Sequence, residues 1–197
     1  MGTNRLQKIL LSLVVVGLVS SALAFGVFSA FSATTSNPNN SFAAGSVAIS
    51  DNDSGSALYS VSDRKPGDSV SKCIRVTYTG SLASTVKLYR SAFTGGTGLD
   101  PYVTILVERA DSGTVTDYAT CAGFDATPTT EYNGTLAAIG TSFTDGAAVT
   151  LEDAAGGAVW DQNDAVDYKV TATLQDNNSG NGLVTGTHSF TWEARNN

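Results

Sequence analysis

Histidine is nearly absent from this sequence, and so is any excess of positive charge. The 197 residues include one histidine, and 11 basic residues stand against 18 acidic ones, giving a net charge of −7. A zinc hydrolase commonly places two histidines on one helix in a His-Glu-x-x-His motif, which one histidine cannot supply. Nucleic acid and anionic membrane surfaces attract basic patches, which an acidic chain does not offer. The sequence therefore predicts no catalytic residue, no metal ligand, no cofactor and no nucleic-acid partner.

The single histidine, His188, alternates with Phe190 and Trp192 along one predicted strand. A histidine on such an apolar face is more often a hydrogen-bonded packing residue than a catalyst. No nucleophile elbow accompanies it, so a Ser–His–Asp site has no local support. Neighbouring acids such as Glu152 and Asp153 carry no specific signal in a chain this rich in carboxylates.

No charged residue lies between Lys8 and Asp51. A short basic start, an uncharged aliphatic stretch over residues 9–28 and a run of small residues are typical of a secretory signal peptide. Small side chains at the −3 and −1 positions place the cleavage between Ser29 and Ala30. Residues 1–29 are thus predicted to be a cleavable signal peptide.

A permanent membrane anchor is the competing interpretation, because about 20 apolar residues suffice to span a bilayer. No basic stop-transfer cluster follows the stretch, which favours cleavage. The delivered protein is then secreted, to the extracellular matrix or the cell surface, and touches a membrane only through the uncleaved signal. It has a leader over 30–45 and one domain over 46–197. Since the signal holds two basic residues and no acidic one, the net charge falls to −9.

The two cysteines, Cys73 and Cys121, both lie in the exported part. An even number of cysteines in an oxidising compartment favours one disulfide, although two free thiols remain the alternative. A bridge over this separation would contribute roughly 4 kcal/mol in the chain-entropy model.

Short runs rich in Val, Ile, Tyr, Phe and Thr alternate with clusters of Gly, Ser, Asn and Asp, which is typical of strands and turns. Residues 166–174 alternate most clearly between apolar and polar side chains, and 70–78, 86–89 and 187–194 follow similar patterns. Residues 101–109 are apolar on both faces, which predicts a central strand. About eight strands predict an all-β, jelly-roll-like antiparallel β-sandwich behind an N-terminal signal-peptide helix.

The segment Asp51–Gly55 has the oxygen-rich character of a calcium loop but lacks the downstream glutamate of an EF-hand, and a plain turn explains it equally well. Four Asn-x-Ser/Thr sequons are present, and chance matches are expected in a chain of this composition. They begin at Asn39, Asn52, Asn133 and Asn177.

The leader after the cleavage site has two apolar anchors, Phe31 and Phe42, separated by a polar tract that contains proline. Such a leader could pack on its own domain as an edge strand, or fray. Alternatively it could pair with an open sheet edge of a neighbouring subunit, in a head-to-tail contact that builds fibres. The residues alone do not separate these two uses.

Several motifs resemble the TasA/camelysin family of exported proteins, in its actinobacterial type. They are Gly26-Val27-Phe28-Ser29-Ala30-Phe31 at the cleavage site, the tract Ser36–Ser41, Phe42-Ala43-Ala44-Gly45-Ser46-Val47, Lys65-Pro66-Gly67-Asp68 before a strand, and the closing strands Tyr168–Leu174 and Phe190–Ala194. The region 111–157 carries no such match.

The resemblance implies a jelly-roll subunit of extracellular, biofilm-matrix fibres, processed by a SipW-like signal peptidase and self-associating by donor-strand exchange. Carried over by position, the donor would begin at the new N-terminus, run to about Asn37 and use Phe31 as its anchor. Its first residues are Ala30, Phe31, Ser32, Ala33, Thr34 and Thr35.

Two other functions stay open. One is a monomeric cell-surface module that binds polysaccharide or matrix through exposed aromatics, for which Tyr59, Tyr89, Tyr118 and Tyr132 are candidates. The other is the metallopeptidase activity attached to the name camelysin, which the sequence does not support.

Overall fold

The computed structural model describes residues 4–5, 7–15, 43–111 and 115–196. Residues 7–15 are helical, within the predicted signal-peptide helix. Over the described ranges, no helix combines the length and the apolar character that crossing a bilayer requires. The predicted cleavage site, Ser29–Ala30, and the donor residues Ala30–Thr35 lie outside the described residues. The chain divides into two compact units, residues 1–43 and 44–197.

In the described part of the second unit, eight antiparallel strands build the fold. They are β1 (Ile49–Asp51), β2 (Ser69–Tyr78), β3 (Ser84–Thr94), β4 (Val103–Arg109), β5 (Thr129–Thr135), β6 (Val149–Leu151), β7 (Ala165–Leu174) and β8 (Thr187–Asn196). Three short 3-10 helices, at Asp100–Tyr102, Leu136–Ala138 and Asn178–Gly180, lie between them. One sheet has the order β1-β2-β7-β4-β5 and the other β6-β3-β8. The predicted fold class, an all-β jelly-roll-like sandwich, is confirmed.

Period-2 alternation explains how the sheets pack. In β7, Val166, Tyr168 and Val170 are buried, and in β2 they face Val76, Ile74 and Lys72 across the ladder. Lys72 interrupts this apolar face of β2, and its Nζ donates to the carbonyl of Ala119. Apolar side chains from both sheets close the core, each contributing about 1.5–3 kcal/mol when fully buried.

The central strand of the larger sheet is β7, not β4. The sequence predicted a central position for residues 101–109 because they are apolar on both faces. β4 is an interior strand, but it lies between β7 and β5, while β7 pairs along its whole length with β2 and β4. β7 tolerates the charged Lys169 there because Glu108 on β4 pairs with its ammonium group at 2.7 Å.

The turn before β2 accounts for one family-like motif. Pro66 and Gly67 occupy its two central positions, and Gly67 has a φ of 88°. Proline fixes the first central residue of such a turn, and the second requires the left-handed conformation that glycine adopts without cost. The amide of Asp68 donates to the carbonyl of Lys65 at 3.0 Å, and Leu174 on β7 donates to the carbonyl of Asp68 at 2.9 Å. The turn therefore sets the register at which β2 joins β7.

Candidate functional site

A groove opens where the narrower sheet fails to cover the wider one. Three strands cannot shield the inner face of five, and a cavity of about 1090 Å³ remains at the β8 side of the sandwich. Its apolar lining comes from both sheets and from the connections beside them. These residues are Val70, Val103, Leu174, Leu58, Phe190 and Trp192.

β8 forms the edge of the smaller sheet beside this groove. The amide of Arg90 on β3 points away from β8, since it donates to the carbonyl of Gly140 at 2.8 Å. Arg90 faces Phe190 in the ladder, so this is a non-hydrogen-bonded pair. The amide and carbonyl of Phe190 therefore point outward, and by alternation so do those of Trp192 and Ala194. Within the described part of the chain, no strand pairs with that side of β8.

The same three residues turn their side chains toward the core. Phe190, Trp192 and Ala194 are partly buried and pack on the core cluster. Trp192 and Ala194 lie opposite Leu88 and Val86 of β3, which are fully buried. A strand added along β8 would thus gain main-chain hydrogen bonds and an apolar floor together.

The other edge strands, β1, β5 and β6, are all shorter than β8. β1 and β6 have three residues each, and the β4–β5 ladder shifts register between Val107 and Glu108. β2 extends beyond β1, but there the amide of Cys73 donates to the carbonyl of Tyr118 at 3.0 Å. The ten-residue β8 is accordingly the longest open edge that the described strands present.

A disulfide holds the covering loop on β2. Cys73 and Cys121 are bonded, with their Cα atoms 5.3 Å apart, as the even cysteine count predicted. In the same loop the Tyr118 hydroxyl donates to Asp167 at 3.0 Å, and Arg75 donates to both carboxylate oxygens of Asp167 at 2.8 and 2.7 Å. We name residues 115–124 the stapled loop. It is fixed both covalently and by a largely buried carboxylate.

His188 is engaged at both ring nitrogens. Nδ1 lies 2.9 Å from the carbonyl of Gly186, and Nε2 lies 2.9 Å from the Tyr59 hydroxyl. The ring also packs edge-on against Phe190, with centroids 5.6 Å apart. Burial raises the pKa of Tyr59, and the negative charge of Asp100 adds to that shift. These contacts fit the packing role that the sequence favoured for the histidine.

The four candidate tyrosines do not gather into one binding face. Besides Tyr59, the hydroxyl of Tyr89 donates to Glu193 at 2.7 Å and that of Tyr132 to the carbonyl of Thr135 at 2.8 Å. Tyr118 belongs to the stapled loop. Their hydroxyls are thus hydrogen-bonded to the protein itself, at separate places on the sandwich.

The segment Asp51–Gly55 forms a turn that its own carboxylates support. Asp51 accepts from the amide of Asp53 at 3.2 Å, and Asp53 accepts from the amide of Gly55 at 2.7 Å. Residues 4–5, 7–15, 43–111 and 115–196 contain no group of three or more His, Cys, Asp or Glu side chains able to hold a metal ion.

A buried charge cluster escaped the sequence reasoning. Arg109 is 4 % exposed and lies within 2.8–3.1 Å of Asp111, Glu131 and Glu152, while its Nη1 also donates to the carbonyl of Asp153 at 2.8 Å. The available signal was an arginine in phase with the inward residues of β4. The cluster ties the ends of β4 and β5 to the segment after β6.

The end of the leader is held by the family-like motif Phe42–Val47. The amide of Ser46 donates to the Ser81 hydroxyl at 2.9 Å, and Leu82 donates to the carbonyl of Ser46 at 3.1 Å. A side chain at Gly45 would collide with Leu82. A larger residue at position 45 would therefore have to displace the Leu82 side chain where the leader meets the sandwich.

The comparison with known families covers the N-terminal part of the chain. Residues 5–93 match the family model described as camelysin metallo-endopeptidase. That span includes the leader, the Gly45 anchor, the turn before β2, and strands β1 to β3 almost entirely. No curated protein matches the sequence. The match over residues 5–93 supports the assignment of this chain to the TasA/camelysin family.

Proposed function

We propose that this protein is a secreted structural subunit of extracellular, biofilm-matrix fibres, in which each subunit donates its N-terminal strand to the next. The observation that carries the proposal is the open edge of β8 beside the groove. Exposed strand edges recruit other strands, and proteins usually shorten, charge or cover them. Here the edge is long and borders an apolar cavity.

The leader has the properties that such an edge would accept. It holds no charged side chain before Asp51, so burying it against a neighbour desolvates no charged side chain. Phe31 supplies an apolar side chain for the groove. Residues 30–43, if extended, reach roughly 45 Å, which exceeds the length of a ten-residue strand.

Donation from the end of one subunit to the flank of another is a head-to-tail contact. Two different surfaces are used, so each added subunit presents a fresh β8 edge. The product is an open fibre unless the geometry closes into a ring. Cleavage between Ser29 and Ala30 would free the donor end, which ties assembly to secretion by a SipW-like peptidase.

The experiment combines the secreted N-terminus with the state of assembly. Mass spectrometry of the exported protein should give Ala30 as its first residue, and the same sample should show filaments by negative-stain microscopy. A variant beginning at Asn37 should remain monomeric. Filaments from that truncated variant would overturn strand donation, and a first residue other than Ala30 would overturn the proposed cut.

A second candidate function is metallo-endopeptidase activity, favoured by the description of the matching family. Metal analysis of the purified protein tests it. A stoichiometric transition metal together with chelator-sensitive proteolysis would support the enzyme, and a metal-free, inactive preparation would exclude it.

A further inference from the structure

Residues 57–64 lie beside the groove, and we name them the strap. They contain no helix or strand, and several of them line the cavity. No backbone amide or carbonyl of the strap bonds to another described residue. A segment without backbone hydrogen bonds opens at low free-energy cost.

Two side chains hold the strap in place. Leu58 and Tyr59 are partly buried and pack on the core cluster. The Tyr59 ring meets Phe190 edge-on, with centroids 6.2 Å apart, and its hydroxyl is 2.9 Å from Nε2 of His188. Both partners belong to β8, so the strap is attached to the strand whose outer edge is open.

The two ends of the strap are marked by residues in the left-handed backbone region. Ser54 and Gly55 have φ of 56° and 78° before it, and Asp63 has φ of 54° near its far end. These positive φ values change the chain direction before the strap and near its far end. The residues between them form no regular secondary structure. The side chain of Val61, within the strap, is 44 % accessible.

We propose that the strap is a displaceable placeholder for an incoming strand. In the free subunit, Leu58 and Tyr59 cover the apolar floor of the groove. When the leader of another subunit pairs with β8, its side chains take that floor and the strap leaves. This inference rests on the proposed fibre function. It adds that assembly is slowed by the contact between Tyr59 and His188.

The variant Tyr59→Phe tests the contact, because it keeps the ring and removes only the hydroxyl. Losing one hydrogen bond, worth about 1 kcal/mol, should shorten the lag of fibre assembly about fivefold. Tyr89→Phe is the matched control, since it removes the bond to Glu193 on the outer face of the smaller sheet. It should assemble at the wild-type rate. Equal lags for wild type and Tyr59→Phe would overturn the placeholder.

A second measurement follows the strap directly. Tetranitromethane should nitrate Tyr59 slowly in the free subunit and at least several-fold faster in fibres, as read by peptide mass spectrometry. If fibres form and Tyr59 stays protected, the strap remains seated and this inference alone fails. If the wild-type protein forms no fibres at all, strand donation fails and the placeholder fails with it.

Discussion

Arg109 occupies an inward-facing position at the end of β4, where Val107 precedes it on the same face. Its guanidinium is surrounded by three carboxylates and a carbonyl, so its burial depends on those partners. Replacing one partner of a buried ion pair leaves the other uncompensated, which costs far more than replacing both. The cluster thus contributes to stability only while Arg109 and its carboxylate partners are all present.

We expect Arg109→Met to lower the free energy of unfolding by about 3–5 kcal/mol, because Glu131 would be left buried without its cation. Urea denaturation followed by tryptophan fluorescence measures the loss. The double variant Arg109→Met/Glu131→Leu should recover most of it. A loss below about 1 kcal/mol in the single variant would mean that the cluster is hydrated.

Glu131 should also make stability depend on pH. Desolvation raises its pKa above the ordinary 4.5, although Arg109 opposes the shift. The folded state therefore favours the protonated form, so this contribution to stability is complete below pH 4.5 and declines as the pH rises through the raised pKa. The stability of Glu131→Gln relative to wild type should therefore increase as the pH rises from about 4 toward neutral.

Glu193 provides a control, because its pKa is shifted in the opposite direction to that of Glu131. Hydrogen bonds from Arg195 and Tyr89 lower its pKa, so its contribution is present above the ordinary value and is lost as the pH falls. Glu193→Gln should therefore lose stability relative to wild type as the pH rises. Urea midpoints of both variants across that pH range make the comparison. If the stability of both variants relative to wild type changed in the same direction with pH, the pKa direction given for at least one of the two glutamates would be wrong.

At the scale of elements, the stapled loop depends on its disulfide. Cys73 and Cys121 are 48 residues apart, so their bond removes much of the entropy of the unfolded chain. Replacing both with serine should lower the free energy of unfolding by about 2–4 kcal/mol and speed hydrogen exchange at position 73. Reduced wild-type protein should behave like the double variant. Stability equal to that of the oxidised protein would show that the loop docks without the bond.

The local sequence pattern predicted several of the strands. Alternation located β2, β7 and β8, and the family-like motif Lys65–Asp68 was placed directly before a strand, where β2 begins. β6 could not be found because three residues are too short for a periodic signal. The placement of β7 at the centre was missed because Lys169 looks too polar for it, and its partner Glu108 lies 61 positions away along the chain.

The site was less visible from the sequence than the fold. The leader and the anchoring role of Phe31 were predicted, but the groove depends on which strands share a sheet. β8 joins β3 rather than the five-stranded sheet, and only this pairing leaves its outer edge beside Val70 and Leu174. The hydroxyl contact of Tyr59 with His188 likewise joins positions 129 residues apart. Pairings at such separations leave no local periodicity.

At the scale of the whole molecule, β8 would report the proposed strand donation, because only one of its two sides pairs with β3. The amides of Thr191 and Glu193 point toward β3, whereas those of Phe190, Trp192 and Ala194 point outward. In the free subunit we expect only the first group to resist hydrogen exchange. In fibres both groups should be protected, because an incoming strand would accept from the outward amides. Exchange quenched after fibre growth and read by residue-resolved mass spectrometry distinguishes the two sets. Outward amides that exchange equally fast in subunits and in fibres would place the donated strand elsewhere on the sandwich.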